Sequence, residues 1–458
     1  MRYRSYLSLT IAILLAVALV GCSGGGADDD QVTTSALADT EEVATGLFDT
    51  STVHTVSVTF DEDDYAELVA TYAETGEKTW IEATVTIDGI TYEQVGMRLK
   101  GNSSLRSVGS GDEDPEELPW LIKLDEYIGG QDHEGIEEFA VRSNNSTTAL
   151  NEAVAQDILA AAGLASEDAS WITFDVNGSE AVLRLVVENP DDEWVEDTFA
   201  NDGALYKAKA TGDYTYRGND PDAYDEEFDQ EAGDDVADLT PLIDFLEFIN
   251  EADDDTFAAE LSEWMDVEAF ATYLAANELV DNFDDIDGPG NNSYLWWDAE
   301  TGLMTVVPWD YNLAFGAGPR GRNGPGGVAG GQDGQFSPPD DVPLRNGDGP
   351  PARRGDGEDA PAPGGDGEMT PPFGHGGPDG APGEGGPGMG NVLSDRFLEV
   401  DEFAAMVDAE LQRLTNDLID SGLGAELLEA RVDVLADSGL VDPDVLEEES
   451  AAIAEYLQ

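Results

Sequence analysis

The sequence predicts an α+β fold with two lobes, the first rich in strands and the second helical. Apolar residues alternate with period two in separate segments between residues 54 and 99 and again in segments between 171 and 208. From residue 239 onward they follow helical spacing instead. An acidic loop at 281–287 interrupts the helical half and is followed by two further apolar runs. Strands grouped before helices in this way are typical of α+β proteins.

The elements of the first lobe begin close to its amino end. Its predicted strands, in chain order, are 54–60, 80–87, 91–99, 171–176, 181–188 and 204–208. Asp88 and Gly89 predict a hairpin turn between the second and third of these strands. A capped helix is predicted at 61–72, and another at 151–162, which ends at Gly163. The predicted helices of the second lobe are 239–250, 256–264 and 267–280.

The first residues predict a targeting segment rather than part of the fold. Arg2 and Arg4 precede an apolar run at 7–20, which is too short for a stable membrane span and typical of a secretory signal. The run leads into Leu-Val-Gly-Cys, which resembles a bacterial lipobox whose cysteine becomes lipidated. We therefore expect an extracytoplasmic protein held at the cell envelope by a lipid on Cys22. The alternative is a chance cysteine after a cleaved signal.

A Gly- and Pro-rich segment divides the rest of the chain. Its composition offers too few apolar residues to offset the entropy of ordering, so it predicts disorder. The predicted organisation is a lipoprotein signal peptide at 1–21, a flexible tether at 22–50, the main part of the folded domain at 51–316, a disordered insert at 317–390 and C-terminal helices at 391–458.

The charge of the chain excludes some partners. It has 99 Asp plus Glu against 20 Lys plus Arg, which gives a formal net charge of −79. Such a charge repels nucleic acid and anionic lipid, so neither is an expected partner. It also opposes folding at low ionic strength through self-repulsion. A halophilic or marine source is the simplest explanation, and an acidic secreted protein is the alternative.

Four short motifs accompany the acidic loop and predict the function. They are RLKGNSS at 98–104, LIKLD at 121–125, NNSYL at 291–295 and PWD at 308–310. Phosphoryl transfer from a metal-bound nucleotide requires one Asp that orients the attacking hydroxyl, and an Asn and a later Asp that hold the metal ions. In this order, the motifs resemble those of the CotH kinase family, the atypical protein kinases of the spore-coat type.

The resemblance implies a two-lobed protein-kinase-like fold, with ATP and Mg²⁺ or Mn²⁺ as cofactors. It assigns Lys123 to the phosphates. Arg98 and Lys100 precede a small polar turn whose backbone N–H groups can form an anion-binding nest. Glu188 and Lys207 are further candidates for contacts with the nucleotide, and a surface charge is the alternative for each.

The same resemblance assigns roles in the acidic loop. Asp284 is the first candidate for orienting the acceptor hydroxyl, and Asp285 is the second. Asn292 is the expected metal ligand, with Asn291 as its alternate. Asp310 then takes the part of the metal-binding Asp in the Asp-Phe-Gly motif of protein kinases.

Two classes of function remain open. The first is an exported protein kinase that phosphorylates Ser or Thr of surface or envelope proteins. The second is a non-catalytic adhesion or assembly module, favoured by Asn312, which stands where many relatives carry a second Asp. An EF-hand calcium loop is excluded, because placing Gly288 at position 6 puts Phe283 at position 1 and Tyr294 at position 12.

Salt is expected to stabilise the protein. The Debye length falls from about 30 Å at 0.01 M to about 3 Å at 1 M salt, so repulsion among the excess carboxylates is screened. We predict a melting temperature that rises between 0.01 M and 1 M NaCl in thermal unfolding followed by circular dichroism. A flat or falling curve would contradict the saline habitat.

Overall fold

The computed structural model describes residues 46–101, 103–106, 108–109, 114–209, 212–282, 284–286, 292–317 and 391–458. The predicted signal peptide, Cys22, Asn291 and nearly all of the predicted insert lie outside the described residues. Predictions about them stay predictions. Within the described ranges, no helix is long and apolar enough to cross a membrane.

Seven of the described strands close into a barrel. They are β1 (Val53–Phe60), β2 (Ile81–Ile87), β3 (Ile90–Leu99), β4 (Trp120–Lys123), β5 (Glu138–Val141), β6 (Ala169–Val176) and β7 (Val182–Glu188). Their order around the barrel is β1-β2-β3-β4-β5-β7-β6. The barrel closes through a parallel pairing of β1 with β6, in which Val53 lies opposite Trp171. Apolar side chains alternate inward along these strands and form a core of their own.

A second, antiparallel sheet has the strand order β11-β10-β8-β9. Its strands are β8 (Gly203–Ala208), β9 (Phe228–Ala232), β10 (Ser293–Asp298) and β11 (Met304–Pro308). The described helices are α1 (Glu62–Thr75), α2 (Leu150–Ala162), α3 (Asp192–Thr198), α4 (Thr240–Glu251), α5 (Asp254–Glu260), α6 (Val267–Leu279), α7 (Val392–Glu399), α8 (Asp401–Leu414), α9 (Leu423–Ser438) and α10 (Pro443–Ala454). Most of them pack with one face of this sheet in a second, larger core.

The prediction of a two-lobed protein-kinase-like fold is wrong, although the mixed α+β content is confirmed. The strand-rich part is a closed barrel, and the second sheet places strands on both sides of α4–α6 along the chain. Alternation identifies a strand but not its partner. The pairing that closes the barrel joins Ser57 to Asp175, which are 118 positions apart. Local sequence carries no signal for such a contact.

Most individual elements agree with the sequence prediction to within about two residues. Gly163 ends α2 as predicted, in a left-handed conformation with φ of 87°. The predicted helix at 256–264 is shorter, because α5 gives way to a 3₁₀ turn at Leu261–Glu263. The sequence does not predict β5, α3 or β9.

The barrel and the second sheet meet at the ends of β3 and β11. Met97 and Leu99 are buried in the barrel core, so Arg98 and Lys100 emerge on its outer face. Beyond the end of β11, Trp309 lies 5.1 Å from the Lys100 amine, measured to the ring centroid. Lys207, on β8, pairs with Tyr294 on the neighbouring strand β10. Residues from separate sheets therefore converge on one site.

Candidate functional site

Three cations surround the indole ring of Trp309. The amines of Lys100 and Lys207 both lie 5.1 Å from its centroid, and the guanidinium carbon of Arg142 lies 5.7 Å from it. The Lys207 amine is also 4.3 Å from the ring centroid of Tyr294. Ring faces attract cations, so the two aromatic residues help to hold positive charge here. The three cations come from β8 and from the ends of β3 and β5.

The two lysines have no carboxylate partner within hydrogen-bonding distance among the described residues. The Lys207 amine is shielded from solvent and makes no hydrogen bond. The Lys100 amine donates to the side-chain oxygen of Asn189. Burial lowers the pKa of Lys207 to about 7 and that of Lys100 to about 8. Buried charge without a partner is unfavourable, so these two amines indicate a place for an external anion.

Several cations elsewhere in the described ranges are paired with carboxylates. Examples are Lys209 with Asp229, Arg217 with Asp213, Arg396 with Asp254 and Arg431 with Asp157. The chain has 99 acidic residues for 20 basic ones, so a carboxylate partner is easy to supply. Lys100 and Lys207 lack such a partner among the described residues although both amines are buried, which makes them candidates for binding an external anion.

Arg142 joins two carboxylates that lie far apart in the sequence. Its Nη2 atom donates to Oε1 of Glu152 at 2.8 Å and to Oδ1 of Asp310. Glu152, on α2, is buried, which raises the pKa of its carboxyl to about 7 against the opposing effect of Arg142. The two carboxylates in turn raise the pKa of Arg142. The sequence does not predict Arg142 or Glu152, since neither belongs to a recognised motif; the only signal was an arginine at a strand end in a chain poor in cations.

Asp284, Asn292 and Asp310 form the acidic side of the site. The Nδ2 atom of Asn292 donates to Oδ2 of Asp284 at 2.9 Å, which leaves the Asn292 amide oxygen available. Burial and the nearby charge of Asp310 raise the pKa of Asp284. Asp310 has a φ of 61°, a left-handed conformation that Asp and Asn tolerate better than other non-glycine residues.

These residues fit a divalent metal that is completed by phosphates. Mg²⁺ usually binds one or two carboxylates together with substrate phosphates rather than a cage of protein ligands. Mutual repulsion between Asp284 and Asp310 is the electrostatic situation that a dication relieves. In the described part of the chain, no group of three or more His, Cys, Asp or Glu side chains could hold a metal by itself.

Lys123, predicted to bind phosphate, lies beside this site and is already paired. Its amine is 3.3 Å from Oε2 of Glu138 and 3.8 Å from Oδ1 of Asp125. Glu138 also accepts a hydrogen bond from Asn189, which accepts one from Lys100. Lys123 therefore connects to the cations around the indole through two intervening side chains.

Three other predicted residues make contacts of a different kind. The guanidinium carbon of Arg98 lies 4.8 Å from the ring centroid of Trp80. Glu188 accepts a hydrogen bond from the backbone N–H of Asp168 at 2.8 Å, so it joins the ends of β6 and β7. Asp285 is buried, with 8% of its surface exposed. The roles assigned to these residues and to Asn291 stay predictions.

Comparisons with known proteins agree with the motifs. A family model described as CotH kinase protein matches residues 97–450, which is more than half of the chain. The chain is also similar to inner spore coat protein H of Bacillus subtilis (strain 168), with 25% identity over 165 residues. That alignment covers 35% of this chain and 44% of the Bacillus protein, so the chain matches less than half of its relative's length.

We predict that Lys207→Met stabilises the protein at pH 7. The pKa of Lys207 falls from 10.5 to about 7 on folding, so the unfolded chain binds more protons between these values. The stability of the wild type therefore rises with pH across that window, and the advantage of the variant should shrink toward pH 10. Thermal unfolding should show a gain of at least about 2 °C at pH 7.

Lys209→Met is the matched control, because Lys209 is paired with Asp229 at 2.9 Å and lies two residues along the chain. It should not stabilise. A lower melting temperature for Lys207→Met than for the wild type at pH 7 would show that the Lys207 amine has a structural partner after all.

Proposed function

The chain belongs to the CotH kinase protein family, and on that premise we propose that it is an exported protein kinase that transfers phosphate from ATP to Ser or Thr of surface or envelope proteins. Family membership supports a CotH-type kinase or spore-coat function in general. One observation carries the narrower proposal. Two lysines without carboxylate partners, Lys100 and Lys207, lie at the same site as Asp284, Asn292 and Asp310.

The lysines supply the phosphate-binding half of this site. The triphosphate of ATP is an anion suited to two buried amines beside one ring, one without a hydrogen bond and one bonded only to the neutral Asn189 side chain. Trp309 is a common neighbour of the two amines, because each lies 5.1 Å from the centroid of its ring. Binding of phosphate would favour the charged form of both lysines, since a nearby anion raises a lysine pKa.

The acidic half supplies orientation. Asn292 and Asp310 offer an amide oxygen and the unbonded Oδ2 carboxylate oxygen for Mg²⁺ or Mn²⁺, and Arg142 holds Asp310 in place through Oδ1. A divalent ion, when bound, neutralises charge on the phosphates. Asp284 is left to orient the acceptor hydroxyl, and burial together with the nearby charge of Asp310 raises the pKa of its carboxyl, which makes it a better proton acceptor.

A non-catalytic adhesion or assembly module is the second candidate. The observation that favours it is the ion pair between Arg142 and Asp310, because a metal would share that carboxylate with a guanidinium. A binding module needs no such metal. The two candidates differ in whether nucleotide binding depends on a divalent ion.

Labelled ATP with Mg²⁺ or Mn²⁺ at high salt tests the kinase proposal. Asp310→Asn tolerates the left-handed backbone but loses the charge, so we expect loss of the metal-dependent part of ATP binding in calorimetry. Asp284→Asn should bind ATP nearly as the wild type does but transfer phosphate about 10²–10⁴-fold more slowly, because an orienting carboxylate acts mainly in the transition state.

Glu300→Gln is the control, because it removes one carboxylate charge at an exposed position in the turn between β10 and β11. It should leave both measurements unchanged. Absence of metal-dependent ATP binding by the wild type would reject the kinase and favour the adhesion module.

We also propose that the protein is anchored outside the cytoplasm by a lipid on Cys22, on the strength of the sequence at its amino end. Cys22→Ser should move the protein from the membrane fraction to the soluble fraction of expressing bacteria. Ser23→Ala, the control, should stay with the membrane. A Cys22→Ser protein that remains in the membrane fraction after a salt wash would contradict the anchor.

A further inference from the structure

The last helix, α10, is fixed beside the candidate site by Glu449. Its Oε2 atom accepts hydrogen bonds from the hydroxyl of Ser146 at 3.0 Å and from the backbone N–H and hydroxyl of Thr148. Its Oε1 atom accepts one from the N–H of Thr147 at 2.9 Å. These residues lead directly into α2, which carries Glu152. The end of the chain is therefore held against the element that supports Arg142.

Just beyond α10, Tyr456 contacts two further segments. Its hydroxyl donates to Oδ2 of Asp281 at 3.1 Å. Its ring packs edge-on against Phe315, with 5.9 Å between centroids. Gly316 lies so close that a Cβ there would collide with the Tyr456 hydroxyl. The tyrosine thus touches the start of the acidic loop and the segment that follows Asp310.

Both segments are strained where the tyrosine meets them. Asp281 has a φ of 45° and Phe315 a φ of 57°, left-handed values that non-glycine residues rarely adopt. The N–H of Phe315 donates to the carbonyl of Val280 at 2.6 Å, which joins the two segments directly. Strained conformations persist only where surrounding contacts hold them. Tyr456 is the side chain that contacts both strained residues.

We propose that Tyr456 is a positioning residue, which fixes the acidic loop bearing Asp284 relative to the segment bearing Asp310 and so sets the geometry for divalent-metal binding. The inference rests on the proposed function of that site. Tyr456 lies beyond residues 97–450, the part matched by the family model, whereas its partners Asp281 and Phe315 lie within it. Tyr456 does not touch the lysines around Trp309 in any described contact.

Tyr456→Phe tests the proposal, because it removes the hydroxyl and keeps the ring. In calorimetric titrations of the full chain at high salt, the affinity for ATP with Mg²⁺ should fall about three- to tenfold, the range expected for one lost hydrogen bond. The affinity for ATP without metal should stay unchanged, since Lys100 and Lys207 are untouched. Tyr127→Phe, at an exposed tyrosine in the loop after β4, should change neither affinity.

Comparing the affinities for ATP with and without Mg²⁺ distinguishes a positioning role of Tyr456 from a general loosening of the structure. An equal loss of affinity with and without Mg²⁺, or no loss at all, would overturn the proposal. Glu449→Gln offers an independent check at the other contact of α10, and Glu448→Gln is its matched control on the same helix. Glu449→Gln should lower the melting temperature more than its control does; equal melting temperatures would overturn the anchoring of α10.

A wild type that binds ATP equally well with and without Mg²⁺ would reject the proposed function instead. In that case hydrogen exchange at the Phe315 amide, which is hydrogen-bonded to the Val280 carbonyl, tests the contact made by Tyr456. Faster exchange in Tyr456→Phe than in the wild type would support the positioning contact. Equal rates would overturn it.

Discussion

The candidate site depends on one buried bridge, in which Arg142 contacts Glu152 and Asp310 together. These residues come from the end of β5, from α2 and from the turn after β11, so the bridge ties the barrel to the second sheet and its helices. A buried ion pair adds little net stability, because desolvation offsets most of the attraction. Its contribution here is geometric, since it sets where the Asp310 carboxylate lies. This fixed carboxylate gives the neighbouring lysines a defined position relative to the acidic residues of the site.

The barrel and the second sheet, which share no hydrogen-bonded strand among the described residues, hold the other residues of the site. The barrel presents Lys100 beyond the end of β3, and the second sheet presents Lys207 within β8. Trp309 is the common surface on which both amines rest. Side chains on strands or at their ends are held more rigidly than those on long loops. That rigidity holds the three cations near one ring despite their mutual repulsion.

Several residues of the candidate site can be predicted from the sequence, because they belong to short motifs. Lys100, Asn292 and Asp310 belong to the motifs, Asp284 to the acidic loop, and Lys207 to a predicted strand. In the structure, both lysines lie near Trp309, and Asp284 is hydrogen-bonded to Asn292 and lies near Asp310. The sequence does not show which side chains and strands pair with one another. The sequence does not show that Lys123 pairs with Glu138, which belongs to β5, and the role of Lys123 in phosphate binding stays a prediction. It does not predict Arg142 or the closure of the barrel either, since both depend on contacts between distant positions.

The parallel pairing of β1 with β6 also governs the order in which the chain can fold. Strand β1 is made first but cannot complete the barrel until β6 is available, 118 positions later for the pair Ser57 and Asp175. Contacts of such long range slow folding, because the entropy of loop closure is lost before the contact forms. Until then β1 has an open edge that favours association with other chains. A chain emerging residue by residue would thus benefit from being kept unfolded until its first 176 residues are free together.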